Sequence, residues 1–278
     1  MLVTFHTNIL RITLYILLFL ILSCNSKMSY DELYSKINKE IDKENFNEAI
    51  ALLDKAIKIN YNADSLYTLK SFCLYKTGYY KKAEQEAEKA LLYNSQNDFA
   101  YYILGISKRE TNLFGNVDIE SAKLDKIYID SEMVNRYVAT LYDNQTSGEI
   151  YDMKETLENL NKAIEINGIC GDNFFERGKT YYKMGLYKRA LDDFDKAIIL
   201  SNNIGEFFFY RGMLFKELNK SLEALNDFNK AISLKEDAFY YANRGYLKRE
   251  QLNDKQGGCD DLKKAKRLGL SMTDDECQ

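Results

Sequence analysis

The chain has 278 residues, of which 46% are hydrophobic and 29% charged, as is usual for a soluble fold. It contains no Pro or Trp, and its one His, His6, lies in an N-terminal segment that we predict to be removed. Without histidine the chain lacks the usual general base, the usual zinc ligand and any Ser-His or Cys-His pair. The 38 Lys and Arg are balanced by 42 Asp and Glu, so nucleic-acid binding is not indicated. We therefore expect no metal, no cofactor and no common hydrolase mechanism.

The first feature along the chain is an apolar run at residues 12–22, preceded by Arg11. A helix that spans a bilayer needs about 20 apolar residues, so a run this short predicts the core of a signal peptide. The run ends in Ile21-Leu22-Ser23-Cys24, which resembles the lipobox of bacterial lipoproteins. The resemblance implies that residues 1–23 are a signal peptide and that Cys24 carries acyl chains, which place the protein on a membrane of the bacterial cell envelope. An uncleaved anchor, or a secretory leader with an incidental cysteine, are the alternatives.

A short tether, residues 24–28, follows the proposed lipid attachment site. About five residues separate Cys24 from the first predicted helix, near Tyr30, and they reach roughly 17 Å when fully extended. The first repeat is therefore expected to stay close to the membrane surface.

An internal repeat gives the strongest signal in the sequence. Six positions keep their residue class when 34 is added to their number: Phe174, Gly178, Tyr181, Ala190, Phe194 and Ala197 become Phe208, Gly212, Phe215, Ala224, Phe228 and Ala231. Glycine and alanine let two helices approach closely, and the aromatic residues fill the space between them. The pattern resembles the tetratricopeptide repeat, which implies two antiparallel helices per unit.

The last alanine of the unit can be followed along the chain through Ala56, Ala90, Ile127, Ala163, Ala197, Ala231 and Ala265. These positions predict an all-α, right-handed α-solenoid of about seven helix-turn-helix units over residues 29–268. The array is expected to be regular at 29–111 and 151–268, degenerate at 112–150, and followed by a tail at 269–278. Asparagines such as Asn94 and Asn167 are expected to end second helices in the left-handed conformation. Aspartates such as Asp98 and Asp237 are expected to cap the following first helices.

Arginines precede three of the repeat glycines, at Arg177, Arg211 and Arg244. A ligand-binding role is one interpretation. We favour the alternative that each arginine packs between units and pairs with a carboxylate, such as Asp193 or Asp227.

The resemblance implies a concave side that is lined by first helices and serves as the usual peptide site. Counting from the glycines predicts thirteen residues on this partner-binding groove: Phe72, Tyr75, Tyr102, Ile106, Arg109, Phe175, Lys179, Tyr182, Phe209, Met213, Lys216, Tyr246 and Arg249. Aromatic and cationic side chains together suit a peptide with some acidic character. The alternative is that these aromatics only pack between helices.

Four cysteines follow Cys24, without a C-x-x-C pair. We predict that Cys259 and Cys277 form a disulfide bond that pins the tail to the last helix, the alternative being free thiols. Cys73 falls inside a predicted helix and is expected in the core.

The sequence thus predicts a non-enzymatic, membrane-anchored scaffold that binds a protein or peptide, with envelope assembly, export and motility as candidate settings. One alternative is an enzyme that uses carboxylates alone on cell-envelope glycan, for which the acidic clusters are Asp260-Asp261 and Asp274-Asp275-Glu276. Another is a structural spacer without a specific ligand.

Overall fold

The computed structural model describes residues 30–59, 63–114 and 153–271, and these form twelve α-helices and no strand. The prediction of an all-α fold is confirmed. In chain order the helices are α1 (Tyr30–Asp42), α2 (Phe46–Lys58), α3 (Ala63–Lys76), α4 (Tyr80–Tyr93), α5 (Asp98–Phe114), α6 (Lys154–Ile166), α7 (Gly171–Lys183), α8 (Tyr187–Leu200), α9 (Gly205–Glu217), α10 (Ser221–Leu234), α11 (Ala238–Glu250) and α12 (Lys255–Arg267).

Helices that follow one another in the described chain pack against one another. The most extensive contacts join α3 to α4, α5 to α6, α7 to α8, α9 to α10 and α11 to α12. Together with α1 and α2, the described residues therefore form six antiparallel helix pairs, which we call the first to sixth units. Such sequential stacking is the architecture of an α-solenoid.

The third unit contains a long insertion between its two helices. Gly105 of α5 lies against Leu160 of α6, just as Gly178 of α7 lies against Phe194 of α8. In the fourth unit a short turn joins the two helices, whereas in the third unit α5 ends at Phe114 and α6 begins only at Lys154. The predicted series ends one unit at Ile127 and the next at Ala163, whereas here Gly105 and Ala163 belong to one unit, which corrects that prediction. Ile127, the predicted end of another unit, lies outside the described residues.

Small residues are found where the helices cross, as predicted. A Cβ atom on Gly178 would lie 2.8 Å from the ring of Phe194, and one on Gly212 would lie 2.9 Å from the ring of Phe228. Ala190 is fully buried at the same crossing. Contacts this short leave no room for a larger side chain, so the recurrence of these residues reflects close packing.

Left-handed residues mark the turns inside the units. Gly78 and Gly185 have φ angles of 82° and 70°, and Glu44, Asn219 and Asn253 take the same conformation in their own turns. Asn94 and Asn167 end second helices with φ angles of −144° and −132°. The expectation that these two asparagines adopt the left-handed conformation was therefore wrong.

The side chains of these two asparagines instead join the end of a second helix to the start of the first helix in the same unit. Asn94 Nδ2 donates to Asp64 Oδ2 at 3.1 Å, and Asn167 Nδ2 donates to Asp98 Oδ2 at 2.7 Å. Asp98 is consequently no cap, and the cap of α5 is Asn97, whose Oδ1 accepts from Ala100 N. The N-cap predicted at Asp237 is confirmed, because its side chain accepts from Phe239 N.

The three arginines that precede repeat glycines, which we call the arginine ladder, join neighbouring units, as favoured from the sequence. Arg177 donates to both carboxylate oxygens of Asp193 in its own unit, at 2.8 and 2.7 Å, and to Asn161 of the preceding unit at 2.7 Å. Arg211 and Arg244 repeat this arrangement with their own aspartates and the preceding unit. These bonds occupy the guanidinium groups, so the ladder fixes the angle between units.

The segments at both ends of the array fall outside the described residues. These are the apolar run at 12–22, Cys24 with the tether, and the end of the tail including Cys277. No helix in the described ranges is both long enough and apolar enough to cross a bilayer.

Candidate partner-binding surface

The first helices carry an aromatic cluster near the N-terminal end of the array. Phe72 of α3 and Phe99 of α5 have ring centroids 5.8 Å apart, and Phe99 stacks on Tyr102 at 5.7 Å. Phe46 of α2 meets the ring of Phe72 edge-on, with their ring centroids 6.0 Å apart. The ring of Phe99 is exposed, so this N-terminal aromatic cluster offers apolar surface to a partner.

A second cluster lies further along the array. Phe209 of α9 stacks on Tyr240 of α11 at 4.6 Å and meets Tyr210 edge-on at 5.7 Å. Phe239, next to Tyr240 at the start of α11, is exposed. We call Phe209, Tyr210 and Tyr240, together with the neighbouring Phe239, the C-terminal aromatic cluster.

A buried charged cluster separates the two aromatic clusters. Arg109 of α5 is 1% exposed, and its Nη1 lies 2.6 Å from Glu176 Oε2 of α7. Its Nε and Nη2 reach Glu110 Oε1 at 2.9 and 2.8 Å. Lys179 holds the other oxygen of Glu176 at 3.1 Å. Arg109 and Lys179 thus both have a carboxylate partner within the protein.

The pKa values in this cluster follow from burial and from the ion pairs. Burial alone would raise the pKa of Glu176, but Lys179 and Arg109 outweigh it and lower that pKa to about 2. Burial lowers the pKa of Lys183, one turn after Lys179, to about 8. Glu176 therefore stays ionised at neutral pH, while Lys183 loses its proton far more readily than an ordinary lysine.

Charged residues from other units also act on the pKa of Glu206, near the buried charged cluster. Burial raises the pKa of Glu206 at the start of α9, and both Lys179 and Lys76 act against that rise. Lys76 belongs to the second unit and Glu206 to the fifth. The charge of Lys76 therefore acts on Glu206 although the two residues belong to units that are not neighbours in sequence.

Some of the predicted groove residues are buried, and the others are partly exposed. Ile106, Arg109 and Phe175 are buried, so they support the surface from beneath and cannot line an open groove. Counting from the glycines gives the face of a helix but not how far neighbouring units cover it. The other predicted residues are partly exposed: Phe72, Tyr75, Tyr102, Lys179, Tyr182, Phe209, Met213, Lys216, Tyr246 and Arg249.

Two exposed aromatics of the first helices, Phe99 and Phe239, were not predicted from the sequence. Each lies in the first turn of a first helix, six residues before its glycine, at Gly105 and Gly245. The shared offset from the glycine was a signal that could have found them. Lys70 was also missed: it replaces arginine in the ladder, contacting Asp54 and Glu86 at 2.8 and 3.1 Å.

The carboxylates that converge at Arg109, and one carboxylate from a predicted acidic cluster, are held by cations. Glu110 and Glu176 converge, but both contact the same guanidinium, and the pKa of Glu176 moves away from neutrality. Asp261, from one predicted acidic cluster, is held by Arg244 and Lys248 at 2.6 and 2.8 Å. The second cluster, 274–276, lies outside the described residues, and within those residues no group of side chains fits a metal ion.

Three of the cysteines lie within the described residues. Cys73 is buried and free, and Cys170 is free. Cys259 is disulfide-bonded. Its predicted partner, Cys277, lies outside the described part of the chain, so that pairing stays a prediction.

Comparison with known proteins points to one kind of repeat. The sequence model of the tetratricopeptide repeat matches residues 206–237, which span α9 and α10. A TPR repeat-containing protein of Methanocaldococcus jannaschii is 29% identical over 173 residues, covering 60% of this chain and 29% of the relative. Sperm-associated antigen 1 of Rattus norvegicus is 26% identical over 91 residues, covering 31% and 10%. The chain thus spans less than a third of the length of these relatives.

The fold is also similar to a solved structure of known type. A thermophilic TPR protein of Thermus thermophilus superposes with a TM-score of 0.58 at 14% identity. The superposition covers 79% of this chain and 98% of the other. At this identity the likeness concerns the fold alone, and it agrees with sequential stacking of helix pairs.

Proposed function

We propose that this chain, which is a tetratricopeptide repeat protein, is a non-enzymatic scaffold that binds a protein or peptide through the concave surface of its first helices. The N-terminal and C-terminal aromatic clusters carry the proposal. Phe99 is exposed on a base of less exposed aromatics, and Phe239 is exposed beside Tyr240, whose ring stacks on Phe209. Rigid aromatic side chains on a preformed surface are typical anchors for a partner.

The partner is expected to be recognised through apolar or aromatic side chains. Lys179 and Arg109 are already paired with Glu176, and Lys216 lies 3.7 Å from Glu250. An acidic peptide would have to compete with these internal carboxylates for the same cations. The preference for acidic peptides that the sequence indicated therefore finds no support in the arrangement of charges.

The scaffold role is favoured over the two alternatives for physical reasons. A carboxylate-only enzyme needs one acid and one base of separated pKa, and the converging pair Glu110 and Glu176 shares one arginine instead. A spacer has no need for exposed aromatic rings grouped with other aromatics, and such groups favour a binding surface.

Cross-linking in cells, followed by mass spectrometry, tests the scaffold role. The variant Phe99→Ala with Phe239→Ala removes both exposed rings without touching the core. We expect it to lose the partners captured by the wild type, while Leu222→Ala, an exposed apolar residue on α10, keeps them. Unchanged partners in the folded double variant would refute the concave site, and no partner for either protein would favour the spacer.

We further propose that a lipid on Cys24 holds the array on a membrane of the cell envelope. The support is the lipobox-like Ile21-Leu22-Ser23-Cys24 directly after an apolar core. Cys24→Ser is expected to abolish the mass increase from acylation and to release the protein from the membrane fraction. Unchanged fractionation of the Cys24→Ser variant would refute the anchor.

A further inference from the structure

The most exposed apolar residues lie at one edge of the solenoid. At this edge each second helix ends and the next first helix begins, and we call it the junction edge. Among the described residues, the three most exposed large apolar side chains are Leu92, Ile169 and Ile199, at 86%, 82% and 75%. All three lie here, in the last turns of α4 and α8 and in the turn between α6 and α7. Ile59 and Tyr93 add exposed apolar surface at the same edge.

The turns at the junction edge are also free of charge, except the last. Residues 94–97, 167–170 and 201–204, which join the second to the fifth unit, are Asn, Ser, Gln, Gly, Ile and Cys only. The turn between the fifth and sixth units is Lys235-Glu236-Asp237. Neutral junctions thus lie in the N-terminal units, and the charged one lies furthest from the N-terminus.

The chain enters the array at this same edge. α1 is the first helix of its unit, so its N-terminus at Tyr30 lies at the edge where α3, α5, α7 and α9 also begin. Five residues separate Tyr30 from Cys24, a reach of roughly 17 Å. A lipid on Cys24 would therefore hold the junction edge, and not the opposite one, against the bilayer.

We propose that the junction edge of the first four units rests on the lipid bilayer, with Leu92, Tyr93, Ile169 and Ile199 in the interfacial layer. This inference rests on the lipid anchor proposed above. Aliphatic side chains and tyrosine favour the membrane interface, and the turns between these units add no charge of their own. The contact would fix the orientation of the array on the membrane.

The lack of tryptophan in this chain allows a direct test with single reporters. Leu92→Trp and Ile169→Trp are placed in the full-length lipidated protein, reconstituted in vesicles of phosphatidylethanolamine and phosphatidylglycerol with brominated acyl chains. Leu222→Trp, at an exposed position near the opposite edge, is the matched control. We expect blue-shifted emission and at least twofold quenching for the two junction-edge reporters, and neither effect for the control.

The outcomes separate this inference from the proposal of an anchor. If Cys24→Ser releases the protein from membranes but the junction-edge reporters of the lipidated protein are not quenched, the anchor stands and the edge contact is wrong. If the wild type carries no lipid, the anchor fails. A concentration-dependent blue shift without vesicles would show that a second copy covers this edge, and would overturn the inference.

Discussion

The Arg109 guanidinium lies 2.6 Å from the carboxylate of Glu176, and the contact joins the third unit to the fourth beneath the concave surface. It differs from the arginine ladder in depth. Arg109 is almost fully buried, whereas the ladder residue Arg177 keeps a fifth of its side chain exposed. A buried ion pair of this kind is costly to break, because the group left behind has no solvent to replace its partner.

Replacing Arg109 with methionine is expected to destabilise the protein by about 3–5 kcal/mol, since Glu110 and Glu176 would be left in the interior with one fewer cation. Urea unfolding followed by circular dichroism measures the change. Arg177→Met is the control and should cost about 1–2 kcal/mol, because water can reach its partners. Combining Arg109→Met with Glu176→Gln should recover part of the loss. An equal cost for the two arginines would contradict the special role of the buried pair.

The lowered pKa of Lys183 predicts that the stability of the protein rises with pH in the alkaline range. Burial lowers the pKa of this lysine to about 8 in the folded state, against an ordinary value of 10.5. Below pH 8 the lysine is protonated in both states, and the folded state bears the cost of the partly desolvated charge. Between about pH 8 and 10 the folded state releases the proton first, so the unfolded state binds more protons and stability rises with pH. The expected rise is on the order of 1–2 kcal/mol, because the side chain keeps some contact with water.

Unfolding by urea at a series of pH values from 7 to 10 checks this prediction. Lys183→Met removes the titrating group, so its stability should exceed that of the wild type at pH 7 and lack the rise. A wild-type stability that is constant or falls between pH 8 and 10, with the same profile in the variant, would show that Lys183 titrates normally.

The close crossing at Gly178 predicts a cost for even one added methyl group. Alanine is normally better than glycine inside a helix by about 0.5–1 kcal/mol. At Gly178, however, the new Cβ would lie 2.8 Å from the ring of Phe194, which is fully buried and cannot move aside. Gly178→Ala is therefore expected to lower the free energy of unfolding by about 1–3 kcal/mol. Gly168→Ala, where the nearest atom is 3.4 Å away, should stay within about 0.5 kcal/mol, and thermal unfolding compares the two.

Much of the fold could be predicted because the close crossings require small residues at fixed spacing. Gly178 and Ala190 mark one unit, and the same classes recur at Gly212 and Ala224 in the next. The charge pairing of the arginine ladder could also be predicted, because Arg177 and Asp193 are 16 residues apart and Arg211 and Asp227 repeat this spacing. Lys70 was missed because the search for the ladder followed arginine before glycine, and this unit has lysine before serine. Its ammonium group contacts Asp54 and Glu86.

The third unit could not be predicted from spacing alone, because the expected period left no place for an insertion. A signal was present all the same: Gly105 lacked an alanine at the usual distance, and Ala163 lacked a preceding glycine at the usual distance. Each half-unit supplied what the other lacked. The burial of Ile106 and Phe175 could not be predicted for a different reason. Burial depends on how neighbouring units pack against one another and not on the position of a residue within its unit.

The pairing of α5 with α6 predicts that the insertion can be removed without loss of the fold. Alignment on the glycines places Thr111 where the fourth unit has Met184, Asn112 where it has Gly185, and Asp152 where it has Leu186. Deleting residues 113–151 and changing Asn112 to glycine therefore restores the regular turn, whose glycine has a φ of 70°. We expect a folded protein with a single cooperative unfolding transition and unchanged contact between Gly105 and Leu160.

Circular dichroism and urea unfolding measure the outcome, and Leu160→Ala in the shortened protein serves as the internal check. Leu160 is fully buried against Gly105 in the described structure, so its truncation should cost about 2–5 kcal/mol if the same helix pair forms. Deletion of the same length shifted to residues 100–138 removes most of α5 and should prevent folding. If the 113–151 deletion instead unfolds the chain, or if Leu160→Ala costs nothing within it, then α5 and α6 do not form one unit and the assignment of six stacked pairs fails at its third member.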